Sequence, residues 1–198
     1  MKLLDYLGFF VIFLVGVASI YMYNIDTFSL QCIISDVDGH KYCVRDRAQL
    51  HAAADLLAKV TSKCVELVEY VHKQFPEQEK VKRLVTKFNP RQISEILPTS
   101  NYTAYSENKG EKIAFCLTTK KGSTDNLIDE HTLMFVAIHE LSHVMSVSIG
   151  HKEEFWDNFR FLLDNAKKAG IHEPRDYSKK PTEYCSLSIT DSPYFPLS

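Results

Sequence analysis

The segment His139-Glu140-Leu141-Ser142-His143 sets two imidazoles four residues apart, with a carboxylate beside the first. Four residues are just over one helical turn, so on a helix both rings leave the same face and can converge on one metal ion. Two neutral histidine nitrogens and one further protein ligand suit zinc, with a fourth position left for water. Glu140 then projects beside that open position. As general base it can take a proton from the zinc-bound water and later pass it to a leaving amine. The chemistry implied is metal-assisted hydrolysis with one Zn2+ ion.

The third ligand sets the subclass. His151 follows Gly150, just past the expected helix end, and a turn there can aim it back at the metal. Glu153 and Glu154 are the carboxylate alternatives, and His172 and Cys116 are more distant ones. Metzincin spacing is not met, because Ser146 and Ile149 stand where it wants Gly and His. The carboxylate of the thermolysin-like pattern would fall on Leu162.

A helix must carry the histidine pair. Leu133-Met134-Phe135-Val136-Ala137-Ile138 is continuously apolar, and the helix is expected from about Asp129, as N-cap, to about Val147. Inside such a helix an unpartnered His or Glu would be costly to bury. A further helix is expected over 152–169, burying Phe155, Trp156, Phe159, Leu162, Leu163 and Ala166, with Gly170 as its stop. Upstream, Asp46–Gln74 has apolar residues at three- and four-residue steps and reads as a long amphipathic helix closed by Pro76. Shorter helices are expected over 77–88 and 91–97, the second stopped by Pro98. Two strand-like runs, 101–105 and 112–118, flank the turn signal Asn108-Lys109-Gly110. The tail from Ile171, with Pro174, Pro181, Pro193 and Pro196, is expected to be irregular.

At the other end, Leu7–Tyr23 runs seventeen residues without a charge. A membrane-spanning helix needs about 20 apolar residues. Residues 4–23 are therefore expected to be a single-pass N-terminal anchor. The alternative is a signal peptide cleaved near Val17-Ala18-Ser19, but the apolar run continues past that site. Lys2 before the span and Asp26 after it mildly favour a cytoplasmic N-terminus. The domains expected are thus 1–26, anchor or signal peptide, and 27–198, a single globular domain. With a formal charge of −2 and few basic blocks, the chain offers no surface for electrostatic nucleic-acid binding.

The five cysteines form no CxxC pair. Asp36-Val37-Asp38-Gly39 reads as a hairpin loop inside 30–44, and pairing Ser35 with His40 across it sets Cys32 opposite Cys43, close enough for a disulfide on an oxidising side. Zinc peptidases commonly take substrate as an added strand, and Lys112–Thr118 (Ile113, Ala114 and Phe115 at its centre) is the candidate edge. Tyr177 and Tyr184 are candidate donors to a developing oxyanion.

His139-Glu140-Leu141-Ser142-His143 followed by Gly150-His151-Lys152-Glu153-Glu154-Phe155-Trp156 resembles the WLM and SprT-like zinc metallopeptidases, where HExxH is followed by a histidine and then a phenylalanine. More narrowly, Asn108–Ile113, Thr132–Ala137 and Asp176-Tyr177 make the chain similar to membrane-anchored WLM-type metallopeptidases of large DNA viruses. The motif-level resemblance covers about residues 100–190. It implies an α+β, zincin-like fold, with a small sheet packed on the HExxH helix and a transmembrane helix before it. It implies His139, His143 and His151 as zinc ligands, Glu140 as catalytic base, and a protein or peptide substrate. The group's link to proteins crosslinked to DNA does not carry over to a chain without a basic surface. Two other functions fit the same residues: a non-catalytic, metal-stabilised binding module displayed at a membrane, and a metal-dependent amidase acting on a small substrate.

Overall fold

The computed structural model describes residues 3–28, 30–97, 99–123 and 126–195. Pro98 and Pro196 lie outside these. The first helix, α1 (Leu3–Phe28), is exposed on every side from Tyr6 to Tyr23, an 18-residue stretch long and apolar enough to cross a membrane. Over that stretch it contributes nothing to the core.

The hairpin that follows pairs β1 (Leu30–Ile34) with β2 (Lys41–Arg45), and Ser35 N–H donates to His40 O at 2.9 Å. Cys32 faces Cys43 in this register, and their sulfurs are at bonding distance. Next comes α2 (Leu50–Gln74), whose three- and four-residue spacing buries Ala53, Leu57, Val60, Cys64, Leu67 and Val71. Each Leu or Val buried on such a face contributes about 1.5–3 kcal/mol. This helix braces both the sheet and the later helix over 130–145. Cys64 is a free thiol sealed in that core, where burial pushes it up to about 12.

After α3 (Glu79–Lys87), the helix expected over 91–97 is instead a strand, β3 (Ile93–Glu95). It runs parallel to both β2 and a later strand, in the middle of the sheet. Tertiary pairing overrides local propensity here. Ile93 fills the core, while Glu95 is buried against the Arg47 guanidinium and accepts from Arg45 N–H at 2.7 Å. A buried carboxylate persists only with such partners, and this one pins β3 to the chain after β2.

The hairpin of β4 (Ala104–Glu107) and β5 (Lys112–Phe115) completes a five-stranded mixed sheet of order β1-β2-β3-β5-β4. Its turn holds Asn108, Lys109 and Gly110 at φ 46, 58 and 111°. A Cβ on Gly110 would lie 2.7 Å from Lys87 O and 2.8 Å from a Val144 methyl. Glycine is needed there for space as well as for backbone conformation.

Two further helices and the connection between them carry the candidate ligands. In α4 (Glu130–Met145), Asp129 caps the N-terminus, accepting from Thr132 N–H at 3.1 Å and from its hydroxyl at 2.6 Å. The other, α5 (Glu153–Lys168), packs along α4. Phe155, Phe159, Leu162, Leu163 and Ala166 are buried as the spacing implies, but Trp156 is 42% exposed.

The tail is more ordered than expected. It forms a small hairpin, β6 (Thr182–Tyr184) with β7 (Leu187–Ile189), whose turn residues Cys185 and Ser186 both have positive φ, 51 and 65°. Neither is the Gly or Asn such a turn usually uses. The Cys185 sulfur lies at bonding distance from that of Cys116, and Cys185 N–H and Ser186 N–H donate to Thr118 O and Thr119 O at 3.0 and 2.8 Å. The molecule is therefore a mixed α+β structure with a sheet and helices, one of them N-terminal and apolar.

Candidate metal centre

His139 and His143 leave the same face of α4, and the 146–152 connection turns the chain back so that His151 joins them. Nε2 of His139 lies 3.2 Å from Nε2 of His143 and 3.1 Å from Nε2 of His151. All three donor atoms fall within 4.8 Å of one another. Zinc–nitrogen bonds of about 2.0–2.1 Å at a tetrahedral angle put ligand nitrogens about 3.3 Å apart, so this donor set fits zinc.

Burial, with the neighbouring imidazoles adding to it, lowers His139 to about 3; burial and His151 lower His143 to about 4. Both rings are therefore neutral near pH 7, the form that ligates a metal. Phe155, fully buried, is the platform beneath them, with its ring centroid 4.8, 4.3 and 4.6 Å from those of His139, His143 and His151. Trp156 Nε1 donates to His151 O at 3.1 Å. The aromatic pair following the third histidine thus shapes the site directly.

Glu140, 5% exposed, lines the same cleft, and burial raises its carboxyl to about 8. The cleft, about 810 Å³, is lined by the Tyr102–Glu107 stretch and by Leu187–Ile189 with residues 191–193 after it. Its apolar lining includes Tyr105, Trp156 and Phe159.

Other candidates fall elsewhere. Glu154 is turned away, its two carboxylate oxygens accepting from Val147 and Ser148 N–H at 2.8 Å each. Those bonds hold its pKa down at about 2. Glu153 is exposed. His172 stacks on His131 at 4.2 Å, and Cys116 is committed to Cys185. Ile113, Ala114 and Phe115 are buried in β5, whose two edges are taken by β3 and β4. They cannot receive an added strand; the free edge beside the cleft belongs to β4. Tyr177 is buried against Phe135 and does not line the cleft. Tyr184 does line it, but its hydroxyl donates to Thr103 O at 3.1 Å while accepting from Cys116 N–H at 3.2 Å. Its one proton is already used. The β6–β7 wall carried no sequence signal beyond the cysteine at its turn.

Over 161 residues the chain is 30% identical to an uncharacterized protein of Acanthamoeba polyphaga mimivirus, spanning 79% of this chain and 81% of that one. It belongs to the family of that mimivirus protein. Two further viral proteins resemble shorter parts of the chain: one of Invertebrate iridescent virus 6 is 32% identical over 91 residues (46% of this chain, 51% of its own), and one of Invertebrate iridescent virus 3 is 41% identical over 71 residues (36% and 43%). No known family's sequence profile matches the chain. Among solved structures, a Wss1 mutant from S. pombe aligns with a TM-score of 0.42 at 23% identity, over 62% of this chain and 92% of that one.

Proposed function

We propose that this member of the viral family is a zinc-dependent peptidase tethered to a membrane by α1, with residues 1–26 as the anchor and 27–198 as one zincin-like hydrolytic domain. The observation that carries the reading is the convergence of three imidazole Nε2 atoms with a buried carboxylate in the lining of one open cleft. A metal serving only the fold has no need of that carboxylate or of open space above its donors.

His139, His143 and His151 would hold the zinc. When bound, zinc polarises the scissile carbonyl and makes a water more acidic. Beside a bound zinc ion, whose charge would favour the ionised carboxylate, Glu140 takes the proton from the attacking water as the new carbon–oxygen bond forms. It then delivers that proton to the departing amine nitrogen as the carbon–nitrogen bond breaks. The unpaired edge of β4 is where an extended peptide would align, its backbone pairing with Ala104–Glu107 and its side chains entering the apolar cleft. Two cysteine pairs at bonding distance suit an oxidising compartment, which agrees with a cytoplasmic N-terminus and the domain on the far side.

The test uses the full chain in detergent, loaded with zinc and offered unfolded protein substrates. Glu140→Gln is expected to retain stoichiometric zinc and lose cleavage by about 100-fold or more, the usual contribution of a general base. Wild type that binds zinc and cleaves nothing, or a variant that cleaves normally, would sink the peptidase reading.

A further inference from the structure

The connection from Ser146 to Gly150 joins the second histidine to the third, yet apolar burial does little to hold it. Val147 is 64% exposed and Ile149 82%. Beyond the buried Ser146, whose hydroxyl accepts from Asn158 Nδ2 at 2.9 Å, what holds it is charge. Lys109, half-buried at the tip of the β4–β5 turn, donates its three ammonium protons to Ser146 O, Val147 O and Ser148 O at 2.7, 2.9 and 2.7 Å. From the other side, the Glu154 carboxylate accepts the N–H groups of Val147 and Ser148. Arg83 secures the helix end just before, donating to Met145 O at 2.7 Å. The α4 C-terminus would otherwise leave carbonyls unpaired, and a cation there also meets the negative end of the helix dipole.

We infer that Lys109 and Glu154 form a clasp that positions His151: the lysine and the carboxylate grip the carbonyl and amide sides of one short loop, and the loop's far end presents the third imidazole to the metal. The inference rests on the zinc reading above. Lys109 touches no metal donor; it is a positioning residue, acting through the backbone. It also links the cleft lining to the ligand set, because it sits in the turn that follows the edge strand where a peptide would align. The strained turn that presents it, with Gly110 wedged against Lys87 and Val144, keeps its Cα in place.

The test measures zinc affinity of the full chain in detergent by competition with a chelator. Lys109→Met is expected to weaken zinc by about 10- to 100-fold, the usual effect of losing a group that orients a ligand. Glu154→Gln, which removes the charge from the other jaw, should weaken zinc in the same direction. In a His151→Ala background, Lys109→Met should change affinity by less than about 2-fold, since the ligand it positions is gone. Thermal unfolding of the metal-free variants shows whether each is folded, and Glu154→Gln carries the test if Lys109→Met is not. Unchanged zinc affinity in Lys109→Met overturns the clasp and leaves the zinc reading standing. An equal loss with and without His151 also overturns it, reducing Lys109 to a general stabiliser. Wild type that binds no zinc removes both.

Discussion

Two groups of imidazoles sit at opposite ends of α4, and only one is arranged to hold a metal. At the N-terminal end His131 stacks on His172 with ring centroids 4.2 Å apart, and at the C-terminal end His139 meets His143 and His151. Burial lowers the pKa in both places: His172 falls to about 3, as His139 does. The geometry differs. Nε2 of His131 is 2.6 Å from Glu173 O, His172 is 4% exposed, and among the described residues no third donor joins them. In the other group three nitrogens converge on open space beside Glu140. A neutral, buried imidazole is thus a product of packing, and convergence onto a cleft is what makes it a candidate ligand.

Zinc affinity separates the two clusters by the widest margin. A structural zinc site is worth about 10–16 kcal/mol over four ligands, so removing one ligand costs roughly 3 kcal/mol, or about 100-fold. His143→Ala should show at least that loss in chelator competition. His172→Ala should leave the affinity of the folded protein unchanged. Matching losses would mean that the two clusters are not functionally distinct.

A smaller effect is expected at Gly110, which abuts Lys87 and, near the C-terminal end of α4, Val144. Gly110→Ala forces a methyl against Lys87 O and Val144 at a positive φ, which should cost about 1–3 kcal/mol in urea unfolding. Because that turn carries Lys109, zinc affinity should fall with it, while the His131–His172 pair is untouched. A neutral substitution would show that the turn has room to shift.

The juxtaposition of His139, His143 and His151 was legible because helix period and one turn suffice to bring them together, and Phe155 follows at the spacing that puts its ring beneath them. The 30–45 hairpin was legible for a similar reason, since its loop sets the Cys32–Cys43 register. What escaped depends on distant partners. β3 is a strand because β2 and β5 flank it, and nothing within Ile93–Glu95 says so. The β6–β7 turn uses Cys185 and Ser186 at positive φ, held by Cys116 and by the 118–119 carbonyls. Lys109 looked like a turn residue, and its three acceptors lie 37 to 39 positions away. Which strand is the edge is likewise a property of the whole sheet.

The smallest effect concerns pH and isolates the N-terminal pair. Burial is the main cause of the low pKa of His172, and the positive groups facing it (His131 from α4, Lys63 from α2, and Arg175 in its own segment) push the same way. An unfolded histidine titrates near 6.5, so below that pH the unfolded chain takes up a proton that the folded chain refuses until about 3. Stability from the neutral ring is therefore complete above 6.5 and is lost progressively as pH falls toward 3. At pH 5.5 the loss amounts to about 1 kcal/mol. His139 and His143 add the same kind of slope to metal-free protein, so the contribution of His172 must be read by difference. Urea unfolding of metal-free wild type and His172→Phe at pH 7.5 and 5.5 gives that difference. The variant should lose less stability on acidification by about 1 kcal/mol, whatever its own baseline. Equal losses would mean that His172 accepts a proton within the fold, with His131 or Glu173 moving to accommodate it. The N-terminal pair would then be a responsive element, and the contrast between the two ends of α4 would rest on zinc alone.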